Sequence, residues 1–296
     1  MILLLPERRR FAGQPLSAQT AVRLARGDRL PDGEAGERAQ LERHFQLLPR
    51  DWPMAAISRD ADAGDAGEGA WLRADPVHVL VDATGARLQA WGNLGLEADE
   101  AAEFVAALRP LFGDAGMALG APAAERWYLG LARGAPVPEF VEPAAALGHD
   151  LLAMLPAGFE GRRWRALFNE AQVLLHQHPR NAARVAAGRL PVNALWFWGG
   201  GVLPDGVRCA AATVLSEDAE LLALARLAAA HKDAATADSL LDLRRQRDWK
   251  KVEAVLADAH REGMAVHLDF SDGARWQLAR GQGWRFWRRP LAGLEG

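Results

Sequence analysis

The stretch from residue 178 to 201, HPRNAARVAAGRLPVNALWFWGGG, constrains the fold more than any other part of the chain. Pro179 and Pro191 fix the backbone angle φ, and Gly188 can adopt the left-handed conformation that often ends a helix. The aromatic run LWFW is typical of a buried strand, and the glycine triplet 199–201 after it favours a tight turn. We therefore predict a rigid junction between two bodies, with polar side chains held near it.

Composition indicates a globular protein without a strong charge preference. The 296 residues can bury a substantial core in one large or two modest domains. Because the net charge is only −3, the chain has no overall attraction to nucleic acid. The single cysteine, Cys209, excludes an intrachain disulfide framework and a cysteine-cluster metal site. The apolar opening MILLLP is too short for a signal sequence or a membrane span, so we expect a cytoplasmic protein with no membrane association.

Strands and helices alternate along much of the chain, a pattern that predicts an open α/β sheet covered by helices. The predicted elements of this core are strands at 1–5 and 239–243, helices at 163–177, 219–230 and 249–260, and a closing hairpin at 264–278.

Residues 75–133 have the different pattern strand-strand-helix-strand, which predicts a small α+β module. VHVLVD and RLQAWG flank the turn ATG as a hairpin, and RWYLGL is the third strand. The helix at 98–108 should end before Pro110, because proline disfavours a helical residue in front of it. The predicted organisation is an α/β core at 1–74 and 163–296 and an inserted module at 75–162, which includes the Pro-rich connector APVPEFVEP.

Several segments together resemble a known family. ALFNEAQVLLHQ and the stretch that follows it are similar to the signature of RpfE-type bacterial regulatory proteins. RLPDGEAGERAQLERHF, DAGDAGEGAWLRADPVHVLVD, LRPLFGDAG, RWYLGL and the terminal WRFWRRPL also look RpfE-like, so the resemblance covers nearly the whole chain. More distantly, the 178–201 stretch resembles the lid-to-core junction of archaeal-type, cofactor-independent phosphoglycerate mutases. This kinship implies a partial alkaline-phosphatase-like open-sheet core with a lid-like α+β module.

The mutase resemblance also implies a centre in which Asp and His residues hold two metal ions beside a nucleophilic serine. The sequence departs from that pattern, since the first strand runs into LLLPERRRFAG and DSLLDLRRQRDW lacks an Asp-Gly-His sequel. Asp242, His267 and Asp269 could be ligands, but the last two lie in an alternating strand beside a hairpin, which favours a structural role. We therefore predict no catalytic residue, no metal site and no cofactor.

Two groups of polar residues are candidates for binding a small anionic ligand. An arginine fork and asparagine amides suit phosphate or carboxylate, and such residues surround the 178–201 stretch. The first group is Asn169, His176, His178, Asn181, Arg184 and Asn193, and the second is Arg73, Asp75 and His78. The structural alternative is that the first group caps helices and ties the backbone, and that the second marks an ordinary entry into a strand.

The C-terminal run WRFWRRP combines aromatic and basic side chains, which suits docking to a protein partner. The candidate residues are Trp284, Arg285, Trp287, Arg288 and Arg289. Packing of the aromatic rings against the core is the structural alternative, and the slightly acidic chain disfavours nucleic acid.

These observations predict an RpfE-type regulatory protein, a non-catalytic relative of phosphoglycerate mutases that binds a small anionic ligand or a protein partner. The alternative is a metal-dependent, phosphoglycerate mutase-like phosphomutase or phosphohydrolase whose ligands stand at other positions.

Overall fold

The structure is a computed structural model that describes residues 1–83, 85–230 and 235–294. These residues form two compact units, one of Met1–Leu48 with Gly206–Gly296 and the other of Pro49–Asp205. The second unit therefore interrupts the first along the chain. Within the described ranges, the helices are too short or too polar to cross a membrane.

The strands are β1 (Ile2–Leu5), β2 (Asp28–Leu30), β3 (Phe45–Leu48), β4 (Ala70–Asp82), β5 (Gly85–Trp91), β6 (Ala118–Ala123), β7 (Arg126–Leu131), β8 (Ala194–Val202), β9 (Gly206–Cys209), β10 (Thr213–Leu215), β11 (Ser239–Asp242), β12 (Val266–Phe270) and β13 (Arg275–Leu278). The helices are α1 (Ala18–Arg26), α2 (Glu37–Glu42), α3 (Met54–Ala63), α4 (Ala98–Asp114), α5 (Pro143–Ala146), α6 (Leu151–Met154), α7 (Gly158–His176), α8 (Pro179–Ala186), α9 (Ala219–Leu227) and α10 (Trp249–Arg261).

The first unit is built on an open sheet with the strand order β10-β11-β1-β12-β13-β2. The first four strands are parallel, and β13 and β2 add an antiparallel edge. Leu3, Leu4 and Leu5 of β1 are fully buried, as expected for a central strand of a parallel sheet. The predicted α/β class, the strand at 1–5 and the hairpin at 264–278 are confirmed.

The core of the first unit joins this sheet to α1 and α10. Leu24 of α1 and Val252 of α10 are buried with Leu3 and Phe270 of the sheet. Burying one such side chain stabilises a fold by roughly 1.5–3 kcal/mol. The two helices start at side-chain caps, since Ser17 accepts a hydrogen bond from the Thr20 amide and Asp248 accepts one from the Lys250 amide.

The second unit is an antiparallel sheet with the order β5-β4-β7-β6, and β8 also pairs with β4. The predicted hairpin is confirmed, because β4 and β5 pair from Val77 opposite Trp91 to Asp82 opposite Gly85. Strand β6 lies between α4 and β7 and is additional to the predicted strand-strand-helix-strand pattern. Strand β8 pairs with β4 from Val77 to Ala70. Strand β4 therefore pairs with three strands of the sheet, β5, β7 and β8.

This pairing explains why the compact unit is wider than the predicted module at 75–162. The start of β4 lies before residue 75, and its partner β8 lies after residue 162. The 178–201 stretch forms α8 and most of β8 inside the second unit, so the prediction that it joins two bodies is wrong.

Two local predictions about helix and turn boundaries are also wrong. Helix α4 continues through Pro110, because its buried face runs on from Phe104 and Leu108 to Phe112. The glycines after LWFW do not form a turn but continue β8, with φ angles of 65° at Gly199 and 152° at Gly201. A Cβ atom at Gly201 would come within 2.6 Å of Pro53 Cβ, so the strand needs glycine there.

Candidate functional site

The carboxyl ends of the parallel strands in the first unit carry two buried carboxylates. In open α/β sheets this edge is the usual place for a ligand. Asp242 ends β11, and its two oxygens accept hydrogen bonds from Arg244 Nε and Nη2, both at 2.8 Å. Ser216 Oγ donates a third at 2.7 Å. Burial raises the pKa of Asp242, but the Arg244 hydrogen bonds outweigh it and hold the pKa below its ordinary value.

Asp269 near the end of β12 is held in the same way. Arg43 donates from Nε at 2.9 Å and from Nη2 at 2.6 Å, and His44 Nε2 lies 2.8 Å from Oδ2. Burial raises the pKa of Asp269, but Arg43 and His44 together lower it below its ordinary value. His267, two residues earlier in β12, has a lowered pKa because of burial and the nearby N-terminal ammonium group.

This edge does not present the ligands of a metal centre. Each carboxylate gives both oxygens to a guanidinium fork, the strongest hydrogen-bonding geometry for that pair. In the described part of the chain, no three His, Cys, Asp or Glu side chains converge as metal ligands would. The residues present therefore do not fit the two-metal centre that the mutase resemblance implies.

The predicted residues Arg73 and Asp75 form a buried ion pair in the second unit. Their side chains are 1% and 0% exposed, and the fork from Nε and Nη2 reaches Oδ1 and Oδ2 at 2.8 Å each. Two tryptophans complete the shell, since the indoles of Trp91 and Trp198 donate to Oδ2 at 2.9 and 2.8 Å. This arrangement is closed to solvent and stabilises the junction of β4, β5 and β8.

A chain of polar groups extends from this ion pair toward the surface. Arg73 Nη1 donates a hydrogen bond to Ser58 Oγ at 3.1 Å. The Tyr128 hydroxyl donates a hydrogen bond to Asp62. Arg126 closes the chain with a two-bond fork to Asp62. Burial raises the pKa of the Tyr128 phenol above its ordinary value, although Arg73 acts in the opposite direction. The phenol is therefore a hydrogen-bond donor at neutral pH.

Of the six candidate residues in and before the 178–201 stretch, four bond to the protein itself. Arg184 is fully buried and donates to Leu190 O, Glu100 Oε2 and Leu94 O at 2.9, 2.8 and 2.6 Å. Asn181 bonds the backbone of Val192 in both directions. Each nitrogen of the Arg184 guanidinium thus already has a protein acceptor.

Asn193 and His78 bond to the backbone beside β4. Asn193 accepts from the Val79 amide at 2.7 Å and donates to the Val79 carbonyl at 2.8 Å, so its side chain continues the strand pairing. His78 Nδ1 lies 3.0 Å from the Pro191 carbonyl. His178 caps α8 by accepting from the Arg180 amide, and its ring packs on Phe104.

Two candidates of this cluster, Asn169 and His176, are exposed on α7. His176 lines a shallow cleft of about 440 Å³ with Gln172 and Asn193, and Val79 and Val81 form its apolar wall. The structure therefore brings His176 and Asn193 to one surface, but it does not place Arg184 there.

The C-terminal candidates divide into anchors and exposed rings. Arg285 pairs with Asp28, and Arg288 donates to the carbonyls of Ala25 and Gly27 at 3.2 and 2.8 Å. Trp284 and Trp287 remain 63% and 57% exposed and contact each other edge to face. Arg289 is also exposed. Packing of the rings against the core, the structural alternative, is therefore not observed for these two.

Sequence reasoning missed the partners of the buried charges. Glu100 accepts from both Arg184 and Arg189, and its sequence signal was its position as the third residue of α4, in a capping box with Glu97. Arg43 is 226 residues away from Asp269, and no spacing pattern in the sequence connects them.

Comparison with known proteins identifies one group of relatives, and no protein-family model matches the chain. A probable 2,3-bisphosphoglycerate-independent phosphoglycerate mutase of Geobacter sulfurreducens is 36% identical over 64 residues, which are 22% of this chain and 16% of that protein. The corresponding enzyme of Methanosarcina mazei is 35% identical over 66 residues, or 22% of this chain and 17% of the enzyme. The matches thus span about a sixth of the relatives' own length.

Two solved structures align with most of the chain, with TM-scores below 0.5. The cofactor-independent phosphoglycerate mutase from Thermoplasma acidophilum has a TM-score of 0.40 at 14% identity, covering 95% of this chain and 90% of that one. The PH0037 protein from Pyrococcus horikoshii has a TM-score of 0.38 at 12% identity, covering 93% and 85%. The sequence matches show that the chain is distantly and partially similar to the cofactor-independent phosphoglycerate mutases.

Proposed function

We propose that the protein is a non-catalytic relative of the cofactor-independent phosphoglycerate mutases. It acts in the cytoplasm as a regulatory protein of the RpfE type, by binding a small anionic ligand or a protein partner. The partial similarity to the mutases and the RpfE-like motifs support this proposal. In this proposal the first unit is the alkaline-phosphatase-like core, and the second unit, Pro49–Asp205, is its lid-like module.

One observation carries the non-catalytic assignment. The carboxylates at the sheet edge where metals would be needed, Asp242 and Asp269, are each neutralised by an arginine fork, from Arg244 and Arg43. A divalent cation would have to displace a guanidinium that is itself largely buried, because the Arg244 side chain is 6% exposed and that of Arg43 is 15% exposed. Removing one partner of such a pair leaves the other charge buried and unpaired.

The alternative function, a metal-dependent phosphomutase or phosphohydrolase, makes the opposite prediction about bound metal. We expect the purified full chain to hold no stoichiometric Mn²⁺, Mg²⁺ or Zn²⁺ by elemental analysis. We also expect no interconversion of 2- and 3-phosphoglycerate with added Mn²⁺ or Mg²⁺. Stoichiometric metal together with turnover that a chelator abolishes would overturn the proposal, and Asp242→Asn and Asp269→Asn would then lose both.

The binding surfaces in this proposal follow from exposure. His176 and Asn169 are accessible to a ligand, and Trp284 and Trp287 with Arg289 are accessible to a partner. The candidate residues that are buried, such as Arg184 and Asp75, would stabilise the fold that carries these surfaces and would not contact the ligand or partner.

A further inference from the structure

A pocket of about 560 Å³ lies in the first unit, beside α1. The face of α1 that lines it carries Gln19, Val22, Arg23 and Arg26, which are three or four residues apart and so neighbours on the helix. The other walls are the end of α10 with His260 and the segment 279–284 after β13. The volume is within the range of small-molecule sites in proteins.

Among the described residues, the lining of this pocket is positively charged and holds no carboxylate that would neutralise it. Arg23, Arg26, Arg280 and His260 line it, and its lining contains no Asp or Glu. In the described ranges none of the three arginines forms an ion pair with a carboxylate, and none has an interaction beyond the bonds given below. The pKa of His260 lies below its ordinary value, because Arg23, loss of hydration and Arg280 all disfavour a further positive charge.

Among the described residues, several donor groups of the arginines in this pocket have no protein acceptor. Arg26 Nε is buried and has no acceptor in the described part of the protein. Arg23 uses Nη1 for the Leu256 carbonyl at 3.0 Å, which holds the guanidinium in place and leaves its other N–H groups. The Arg280 guanidinium lies directly over Gly263, where a Cβ atom would come within 1.8 Å of Nη2. Guanidinium groups with unused N–H donors suit the oxygens of a phosphate.

One wall of the same pocket is aromatic. The Trp284 side chain lines it and is 63% exposed. Gln282 fixes this segment, since its amide donates to Asp28 and accepts from the Ala279 amide. An exposed indole held beside cations can stack on a planar ring. The pocket thus offers cationic donors and a stacking surface to one ligand.

We propose that this pocket binds a phosphorylated ligand with a planar ring, of the mononucleotide class. Arg23, Arg26 and Arg280 hold the phosphate, and the ring stacks on Trp284. The inference rests on the proposed function in that this ligand is the anion to which the protein responds. The tests remain separate, because bound metal and turnover decide the proposed function and nucleotide binding decides this one.

Isothermal titration of the full chain with AMP, GMP, CMP and UMP tests the proposal, with adenosine and inorganic phosphate as the two partial ligands. We expect at least one mononucleotide to bind with a Kd of about 1 mM or tighter, and about tenfold tighter than either partial ligand. Absence of mononucleotide binding would overturn the proposal. Inorganic phosphate binding as tightly as every mononucleotide would overturn it as well.

Variants locate the binding. Arg280→Ala should weaken both mononucleotide and phosphate binding about tenfold or more, whereas Trp284→Ala should weaken only the mononucleotide. The matched controls are Arg247→Ala, an exposed arginine of the same unit, and Phe286→Ala, an exposed ring that does not line the pocket. Far-UV circular dichroism checks that each variant is folded. Unchanged affinity in Arg280→Ala, or an equal loss in the controls, would contradict the assignment.

Discussion

The buried Arg73–Asp75 pair should dominate the stability of the second unit, and Asp75→Asn tests this. The substitution keeps the side-chain shape but removes the negative charge that Arg73 requires. It also places an amide NH₂ where a carboxylate oxygen now accepts hydrogen bonds, either at Oδ1, which accepts from the Trp127 backbone amide, or at Oδ2, which accepts from the indoles of Trp91 and Trp198. At least one donor must then lose its acceptor.

The magnitude follows from burial. Breaking a buried ion pair by removing one partner lowers the free energy of unfolding by about 3–5 kcal/mol. Leaving a buried neutral donor without an acceptor lowers it by about 1–3 kcal/mol. Because the Asn oxygen still accepts from one side of the shell, we expect a loss of about 4 kcal/mol in the free energy of unfolding. The matched control is Asp65→Asn, which breaks a similar fork to Arg59 with Asp65 54% exposed. Its expected cost is at most about 1 kcal/mol.

Equilibrium urea denaturation gives both values, and urea is preferred because guanidinium would screen the ion pairs. Far-UV circular dichroism and tryptophan fluorescence should be followed together, since two compact units need not unfold in a single transition. If Asp75→Asn shifts the transition no more than Asp65→Asn does, burial is not what gives the Arg73–Asp75 pair its importance.

Two further predictions concern the other buried charges. Arg184→Met should destabilise the protein by about 3 kcal/mol or more, because Glu100 and the carbonyls of Leu94 and Leu190 lose donors. Arg189→Met should cost much less, since Arg189 is 39% exposed; equal losses in urea denaturation would contradict this. The pKa of Asp269 is lowered, so its stabilisation is present above the unfolded-state value of 3.8 and is lost as the pH falls through the folded-state value. Asp269→Asn should therefore be less stable at pH 7 and lose less stability than the parent between pH 5 and 3, and parallel pH profiles would refute the assignment.

Local patterns in the sequence predicted some of the strands, but not β2, β3 or β6. The alternation of VHVLVD and RLQAWG identified the β4–β5 hairpin, since alternation and a short turn are properties of neighbouring residues. The apolar run at the start identified β1, because a strand in the middle of a parallel sheet is apolar on both faces.

The roles of polar residues could not be predicted in this way. Arg184 was a reasonable anion ligand on sequence grounds, yet in the structure its donors meet Glu100, 84 residues earlier in the chain. The same holds for the basic pocket, in which two arginines of α1 lie near one that is more than 250 residues away. Hydrogen-bond partners of a buried charge depend on tertiary packing, which residue spacing does not encode.

Tertiary packing also explains the wrong boundaries. Pro110 is tolerated inside α4 because Phe112 is buried beyond it, so packing outweighs the missing amide. The glycines of β8 looked like a turn because sequence alone does not show that Pro53 approaches the strand at Gly201.

The position of β1 in its sheet has a consequence for folding during synthesis. Both of its neighbours, β11 and β12, are made more than 230 residues later. The strands that pair in the second unit all lie within Pro49–Asp205, so their ladders can close while β1 still lacks partners. Strand β1 thus leaves the ribosome long before either of its partners and is among the last strands to be paired, and pairing over such distances along the chain is slow. Until then, β1 is a site at which the nascent chain needs protection from aggregation.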